Sequence, residues 1–302
     1  MIKIIFLYLV LASCLFAEEN RESHINDYQY RLKKNEILLN LSNNYIFTQL
    51  SFESESQTYL EKSENAIYLA GGVNYGINDK FTISVDEKYY YYQKISERYH
   101  GEHAKYNKLG VSESTLGIKH FINIKPELFY TVYFNITPKI ARAKINNVQS
   151  GTENFQFGFI WDYFYKYFEV GGRLESSFYG PAKIEDKAKN KVLSAGKYSI
   201  FHFAVSVGHQ FFDRFKFQIE HGVLLYTQRE MATRLNTVLA NKGYSFLMDM
   251  ELLYALTPKL GMGLGGKFQT EIYNVKSGPN EREIKLEYQD FMGIIKLNYA
   301  FN

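Results

Sequence analysis

The stretch NFQFGFIWDYFYKYFEVGGRLESSFY, residues 154–179, decides the fold of this chain. Its first half alternates, with Phe155, Phe157 and Phe159 on one face and polar or small side chains on the other. A break at Tyr165-Lys166 separates it from a second alternating segment. Alternation with a period of two predicts extended strands. Two such segments joined by a short break predict an antiparallel hairpin.

The same unit recurs along the chain at a nearly constant spacing. Short turn-like breaks fall 40 to 48 residues apart, at Asn78-Asp79, Lys125-Pro126, Tyr165-Lys166, Asp213-Arg214 and Pro258-Lys259. Between successive breaks, two alternating segments flank a longer polar stretch. This arrangement predicts a β-barrel whose hairpins have short turns at one rim and long loops at the other.

Twelve strand candidates can be counted on this basis. They span residues 36–48, 65–77, 81–95, 111–123, 128–142, 153–165, 167–180, 197–211, 215–229, 244–257, 260–274 and 286–301. Each is long enough to cross a bilayer when tilted, whereas the strands of a water-soluble sandwich are nearer five or six residues. The sequence therefore predicts an all-β, antiparallel, up-and-down transmembrane barrel over residues 36–302.

The first 17 residues have the features of an export signal. Lys3 precedes an apolar core, and small residues lead to a cleavage site after Ala17. The run before Cys14, the only cysteine, also matches the pattern that precedes a lipidated cysteine. Both processing routes remain open, and residues 18–35 are predicted to form a short polar periplasmic segment.

Composition narrows the classes of function. The chain is 46% hydrophobic with a mean hydropathy of -0.30, and beyond the leader it has no apolar run of the length that a membrane helix needs. The net charge of +3 and the lack of a long basic run give no reason to expect a nucleic-acid partner. No cofactor is expected.

The aromatic residues suggest two bands at the membrane boundaries. The chain has 26 Tyr and 24 Phe, and rings of this kind concentrate where apolar surface meets water. Of four consecutive tyrosines, Tyr89–Tyr92, at most two can face the lipid if the strand is regular. The proposed girdle includes, near the short turns, Phe129, Tyr163, Phe164, Tyr165, Phe168, Phe211, Phe212, Phe215, Tyr299 and Phe301, and, near the long loops, Tyr226 and Tyr244.

The face opposite the apolar one carries mixed charges. The strand register predicts an inward-facing, pore-lining set of Glu169, Arg173, Glu175, Glu220, Asp249, Glu251, Lys267, Gln269 and Glu271. Charges at this depth must face polar surroundings, because exposing Arg or Lys to the bilayer midplane costs about 2 to 4 kcal/mol. Two interpretations remain: the set selects solutes in a water-filled passage, with its acidic excess favouring cations, or it fills the lumen with mutual ion pairs.

Enzymatic chemistry has little support in the sequence. Ser206 and His209 are three residues apart and so lie on opposite faces of a strand, which separates a nucleophile from its base. The close pair His100 and His103 falls in a loop and does not form a metal-ligand cluster. Basic loops, with Lys183 and Lys187 in one of them, can pair with lipopolysaccharide phosphates, although a solvated charge run is the commoner explanation.

The pattern over residues 36–302 resembles the outer-membrane β-barrel superfamily of Gram-negative bacteria. The last strand, with Ile295, Leu297, Tyr299 and Phe301 on one face, is similar to the terminal signal read by the barrel-assembly machinery, although Asn302 follows the final Phe. The resemblance implies an integral outer-membrane protein in contact with lipids and lipopolysaccharide. Members of this class include channels, lipid-modifying hydrolases and autotransporter translocators. We expect a passive channel for small polar solutes or ions, with a non-conducting or surface-binding barrel as the alternative and the oligomeric state open.

Overall fold

A computed structural model describes residues 31–54, 57–99, 102–139, 143–144, 152–186, 191–211, 214–227, 229–232, 237–275 and 284–301. Over these residues twelve long strands run antiparallel and close into a barrel. They are β1 (Ile37–Ser54), β2 (Gln57–Asn78), β3 (Phe81–Tyr99), β4 (Thr115–Lys125), β5 (Leu128–Thr137), β6 (Asn154–Tyr165), β7 (Phe168–Tyr179), β8 (Tyr198–Phe211), β9 (Phe215–Tyr226), β10 (Thr237–Thr257), β11 (Leu260–Val275) and β12 (Ile284–Phe301).

Each strand pairs with the next one in the chain, and β12 pairs with β1. The closing register extends from Ile37 opposite Phe301 to Glu53 opposite Lys285. The predicted all-β, up-and-down barrel of twelve strands is therefore confirmed. No helix in the described part of the chain is long and apolar enough to cross a membrane.

Further pairing occurs at the rim that carries the long loops. Glu102–Asn107 and Gly110–Val111 add to β3, and Arg229–Ala232 adds to β10. A separate small sheet consists of Ala143–Lys144, Ala182–Asp186 and Lys191–Ala195. Parts of the long loops therefore continue the sheet beyond the predicted strand ends.

The alternation in the sequence translates into two chemically different barrel faces. Phe155 and Phe157 of β6 are exposed on the outer face, as are Ile295 and Leu297 of β12. The intervening side chains point into the lumen, where Asp162 is buried. The apolar residues thus cover the outside of the barrel, and the polar residues line its interior, which is the distribution expected of a barrel in a lipid bilayer.

A β-bulge in β3 changes the expected placement of the four tyrosines. Ile67 pairs with Tyr92 and Tyr68 pairs with Tyr90, which leaves Tyr91 as an extra residue. Tyr89, Tyr91 and Tyr92 are all exposed, and the Tyr91 hydroxyl donates to Asn43 Oδ1 at 2.6 Å on the outer face. The expectation of at most two outward tyrosines is wrong because the bulge reverses the alternation within the strand.

Residues before β1 enter the barrel at the short-turn rim. Leu32 is buried, and the Arg31 guanidinium lies 4.5 Å from the ring centre of Phe129. The Asn35 amide donates to the Gly76 carbonyl at 2.8 Å, and the buried Glu36 carboxylate pairs with Lys259 at 3.5 Å. The proposed signal sequence, including Cys14, lies outside the described residues.

Candidate functional site

The lumen holds all nine side chains that the register predicted to point inward. Eight of them line one large cavity, and Glu169 lies on the same inner face of β7, nearer the short turns. The strands β7, β9, β10 and β11 position these residues, because every second side chain on each strand points inward. The eight that share the cavity are Arg173, Glu175, Glu220, Asp249, Glu251, Lys267, Gln269 and Glu271.

This cavity, which we call the loop-side chamber, has a volume of about 700 Å³ and reaches Tyr179 and Tyr226 at the long-loop ends of their strands. Five carboxylates line it, against three basic residues, Arg173, Lys267 and Lys296. Apolar side chains, including Leu224 and Leu247, complete its wall. The chamber is therefore polar, with an excess of negative charge.

Ion pairs neutralise part of that charge. Arg173 Nη2 lies 3.4 Å from Glu220 Oε2, and Lys296 Nζ contacts Glu251 Oε1. Asp249 stands opposite Lys267 in the pairing of β10 with β11. Glu175 and Glu271 accept hydrogen bonds from the hydroxyls of Tyr133 and Tyr226.

One of these tyrosines corrects a prediction. Tyr226 was expected in the outer girdle, but only 4% of its surface is exposed and it points into the lumen. Its hydroxyl donates to Glu271 Oε1 at 2.6 Å, and the Gln269 side-chain amide donates to the Tyr226 hydroxyl at 3.0 Å. Tyr226 lies an odd number of residues from Phe215 on β9, so the alternation itself requires it to face inward.

A second cavity lies nearer the short turns. This turn-side chamber has a volume of about 440 Å³ and is lined by Leu32, Asn74, Thr82, Lys119, Asp162 and Ser206, among others. Leu32 contributes from the segment that precedes β1, so that segment forms part of the floor. Of these residues only Ser206 was considered from the sequence, as a candidate nucleophile, and none was predicted to line the lumen.

The two chambers meet at a junction formed by Gln156, Arg173, Glu175 and Glu220, which line both. The Arg173–Glu220 ion pair links β7 and β9, which lie on either side of β8. Tyr133 of β5 contacts Glu175 through its hydroxyl, and its ring lies where a side chain on Gly158 would clash. Glycine at position 158 thus allows Tyr133 to reach across the wall toward the junction.

The outer rim of the lumen has its own polar contacts. The Tyr106 hydroxyl donates to Glu97 Oε1 at 2.7 Å, and Lys62 pairs with Glu64 at 3.6 Å. Burial lowers the pKa of the Lys108 ammonium beside them, and the positive charge of Lys62 lowers it further. The entrance on this side is therefore structured by charged and tyrosine side chains.

The structure also locates the proposed girdle. Tyr163, Tyr165 and Phe168 are exposed near the short turn that joins β6 to β7. The outer face further exposes Phe215, Tyr244 and Tyr299, while Phe211 and Phe301 are half-buried there. Two predicted members, Phe129 and Phe164, instead face the lumen and contact each other at 5.5 Å between ring centres, and Phe212 lies outside the described residues.

The other candidate groups are not brought together. Ser206 faces the turn-side chamber, whereas His209 lies on the outer face between Phe168 and Phe211. Among the described residues there is no group of three or more His, Cys, Asp or Glu placed to hold a metal ion. His100 and Lys187 lie outside the described part of the chain, as does much of the basic loop sequence.

Solved structures with the same architecture are outer-membrane proteins. An outer membrane channel of Pseudomonas putida F1 aligns over 92% of this chain and all of its own, with a TM-score of 0.59 and 9% identity. The transport unit of an Escherichia coli autotransporter aligns over 98% of this chain and 97% of its own, with a TM-score of 0.59 and 12% identity. An outer membrane protease of Escherichia coli gives a TM-score of only 0.40.

No protein-family model matches the sequence, and no curated protein matches it either. The similarity at these low identities is therefore one of fold. The chain is a closed twelve-stranded barrel, and it shares this fold with those outer-membrane proteins.

Proposed function

We propose that the chain is an outer-membrane channel for the passive passage of small polar solutes or ions. The observation that carries this proposal is the pair of chambers, about 700 and 440 Å³, that follow one another inside a closed barrel, have charged side chains in their walls and share four lining residues. A column of charged and polar side chains can replace the hydration shell of a solute, which an apolar interior cannot do. The Pseudomonas putida protein with the same fold is an outer membrane channel, which agrees with this role.

The proposed pore lining is the predicted inward-facing set. Negatively charged side chains outnumber positively charged ones in the loop-side chamber, where five carboxylates face three basic residues. Cations and neutral polar solutes would therefore be favoured over anions. Insertion by the barrel-assembly machinery and contact with membrane lipids and lipopolysaccharide follow from the proposed location.

A non-conducting barrel is the second candidate, and the junction favours it. Arg173 with Glu220 and Tyr133 with Glu175 are the kind of mutual contacts that fill a lumen. In that case the paired charges would stabilise the closed barrel, and any function would belong to the outer loops.

Single-channel recording from the refolded mature protein in a planar bilayer separates the two. A channel gives steady ohmic steps, with a reversal potential under a salt gradient that indicates cation preference. Asp249→Asn should lower that preference, and Lys267→Glu should raise it, because each changes one charge in the loop-side chamber. Glu102→Gln, a matched loss of charge on an exposed outer residue, should leave the reversal potential unchanged.

The channel would be rejected if the protein gave no conductance although its heat-dependent gel mobility showed that it was folded. Conductance with unchanged selectivity in both chamber variants would instead reject the proposed lining.

A further inference from the structure

We propose that the turn-side chamber is a binding site for a zwitterion of amino-acid size, which would make it the selective step of the proposed channel. The inference rests on the proposed function only for its role in transport; the site itself is defined by the side chains around the chamber.

The first part of the site is an acceptor for an ammonium group. Asp162 is 6% exposed, and its Oδ1 atom has no hydrogen-bond partner among the described residues. A Cβ atom on Gly171 would lie 2.5 Å from Asp162 Oδ1 and 2.7 Å from Ser206 Oγ. Glycine at position 171 therefore lets the carboxylate and the hydroxyl converge over one spot on the wall. A carboxylate beside a hydroxyl oxygen suits a primary ammonium, which has three donors to place.

The second part is a group of donors for a carboxylate. Thr82 of β3 lies opposite Lys119 of β4 in the strand register, and Asn74 on β2 is diagonal to Thr82. Asn74 and Thr82 are 5% and 4% exposed, and Asn74 Nδ2 and Thr82 Oγ1 have no hydrogen-bond partner in the described structure. An ammonium, an amide and a hydroxyl are the donors that a carboxylate accepts from.

The two parts are far enough apart to require a ligand with separated charges. Lys119 pairs with Tyr133, and Tyr133 pairs with Gly158, four residues along β6 from Asp162. At the standard spacing this places the Lys119 and Asp162 backbones about 10 Å apart across the sheet and about 14 Å apart along it. The long lysine side chain covers part of that span, and an extended amino acid can bridge the remainder.

Buried polar atoms without partners give the turn-side chamber its capacity to bind a ligand. A buried donor or acceptor without a partner carries a desolvation cost of about 1 to 3 kcal/mol, which a matching ligand removes. In this chamber Asp162 Oδ1, Asn74 Nδ2 and Thr82 Oγ1 have no hydrogen-bond partner in the described structure. The loop-side chamber has such atoms too, at Asp249 and His202, so the turn-side chamber differs in offering an acceptor on one side and donors on the other.

Equilibrium binding to the full-length mature barrel in detergent tests the site without relying on conductance. The probes are 5-aminopentanoate, which carries both charges, and its single-charge analogues pentanoate and pentylamine. We expect saturable binding of 5-aminopentanoate that is at least tenfold tighter than binding of either analogue.

Three substitutions then test which side chains bind the ammonium and the carboxylate of the ligand. Asp162→Asn should weaken 5-aminopentanoate at least tenfold and leave pentanoate unchanged, while Lys119→Gln should abolish any pentanoate binding. Gly171→Ala should weaken 5-aminopentanoate and pentylamine, because the new methyl group displaces Asp162 and Ser206. Asp79→Asn, an exposed carboxylate on the adjacent short turn, is the matched control and should bind like the unchanged protein.

Equal affinity for the three probes, or chamber variants that behave like Asp79→Asn, would overturn the site. Conductance without saturable binding would also overturn it while leaving the channel in place. Binding of 5-aminopentanoate by a barrel that never conducts would support the site and reject the channel.

Discussion

At the scale of single residues, Tyr226 shows that an odd or even position along a strand decides whether a side chain enters the lumen. Its hydroxyl donates to the Glu271 carboxylate inside the loop-side chamber. The residue type of Tyr226 predicted a place in the outer girdle, whereas its position on β9 requires it to face inward. Where residue type and strand parity disagree within a barrel, parity is the stronger argument, because a strand cannot rotate one side chain alone.

Tyr226→Phe should lower the free energy of unfolding by about 1 to 2 kcal/mol, since Glu271 would lose a buried hydrogen bond and Gln269 would lose an acceptor. Unfolding in urea from lipid vesicles, followed by the fluorescence of the single tryptophan, Trp161, measures the change. Tyr244→Phe removes the same atom from an exposed tyrosine and should be neutral. Equal effects of the two substitutions would contradict the importance of the Glu271 contact.

At the scale of elements, the strand ends at the short turns were predicted closely, whereas several of those at the long loops were not. β2 ends at Asn78 and β3 begins at Phe81, within a residue of the predicted limits, but β1 continues to Ser54 and β10 begins at Thr237. Beyond the bilayer both faces of a strand meet water, so backbone pairing persists without alternation in the sequence. Periodicity alone cannot locate such extensions.

The segment before β1 is the element whose structural role the sequence did not indicate. Arg31 and Leu32 belong to a polar stretch without a pattern, yet Arg31 lies over Phe129 and Leu32 enters the turn-side chamber. These contacts depend on side chains from β5 that are distant in sequence. Local sequence patterns therefore cannot predict these contacts.

If this segment narrows the turn-side mouth, the double variant Arg31→Ser, Leu32→Ser should conduct roughly 1.5-fold more or better, because conductance follows the cross-section of the passage. Single-channel recording measures the change against Lys34→Ser, an exposed position in the same segment. Unchanged conductance in the double variant would place the narrowest point at the junction of Arg173 and Glu220.

At the scale of the whole molecule, closure of the barrel could be argued from the sequence, but division of its lumen could not. An even number of long strands with short and long connections in alternation predicts a closed barrel. The two chambers depend instead on inward side chains that are distant in sequence, such as Tyr133 on β5 and Glu175 on β7, which are 42 residues apart. Their contact is decided by the register, which places both beside Gly158 of β6, and by the space that this glycine leaves open.

The pairing of β1 with β12 predicts that a disulfide can form between these two strands. Asn40 of β1 lies opposite Asn298 of β12, and opposed residues on antiparallel strands have Cα atoms about 4.5 to 5.5 Å apart, within the range that a disulfide requires. In mature protein beginning at Glu18, which has no native cysteine, Asn40→Cys with Asn298→Cys should form an internal disulfide under mild oxidation.

Mass spectrometry of the oxidised, folded protein detects this bond as a disulfide-linked peptide that contains segments of β1 and β12. The control pair, Asn40→Cys with Met292→Cys, is displaced by six residues along β12, roughly 20 Å at the standard rise, and should remain reduced. Oxidation of both pairs alike would indicate that the pairing of β1 with β12 is mobile. Oxidation of neither would mean that β1 and β12 do not close the barrel in this register.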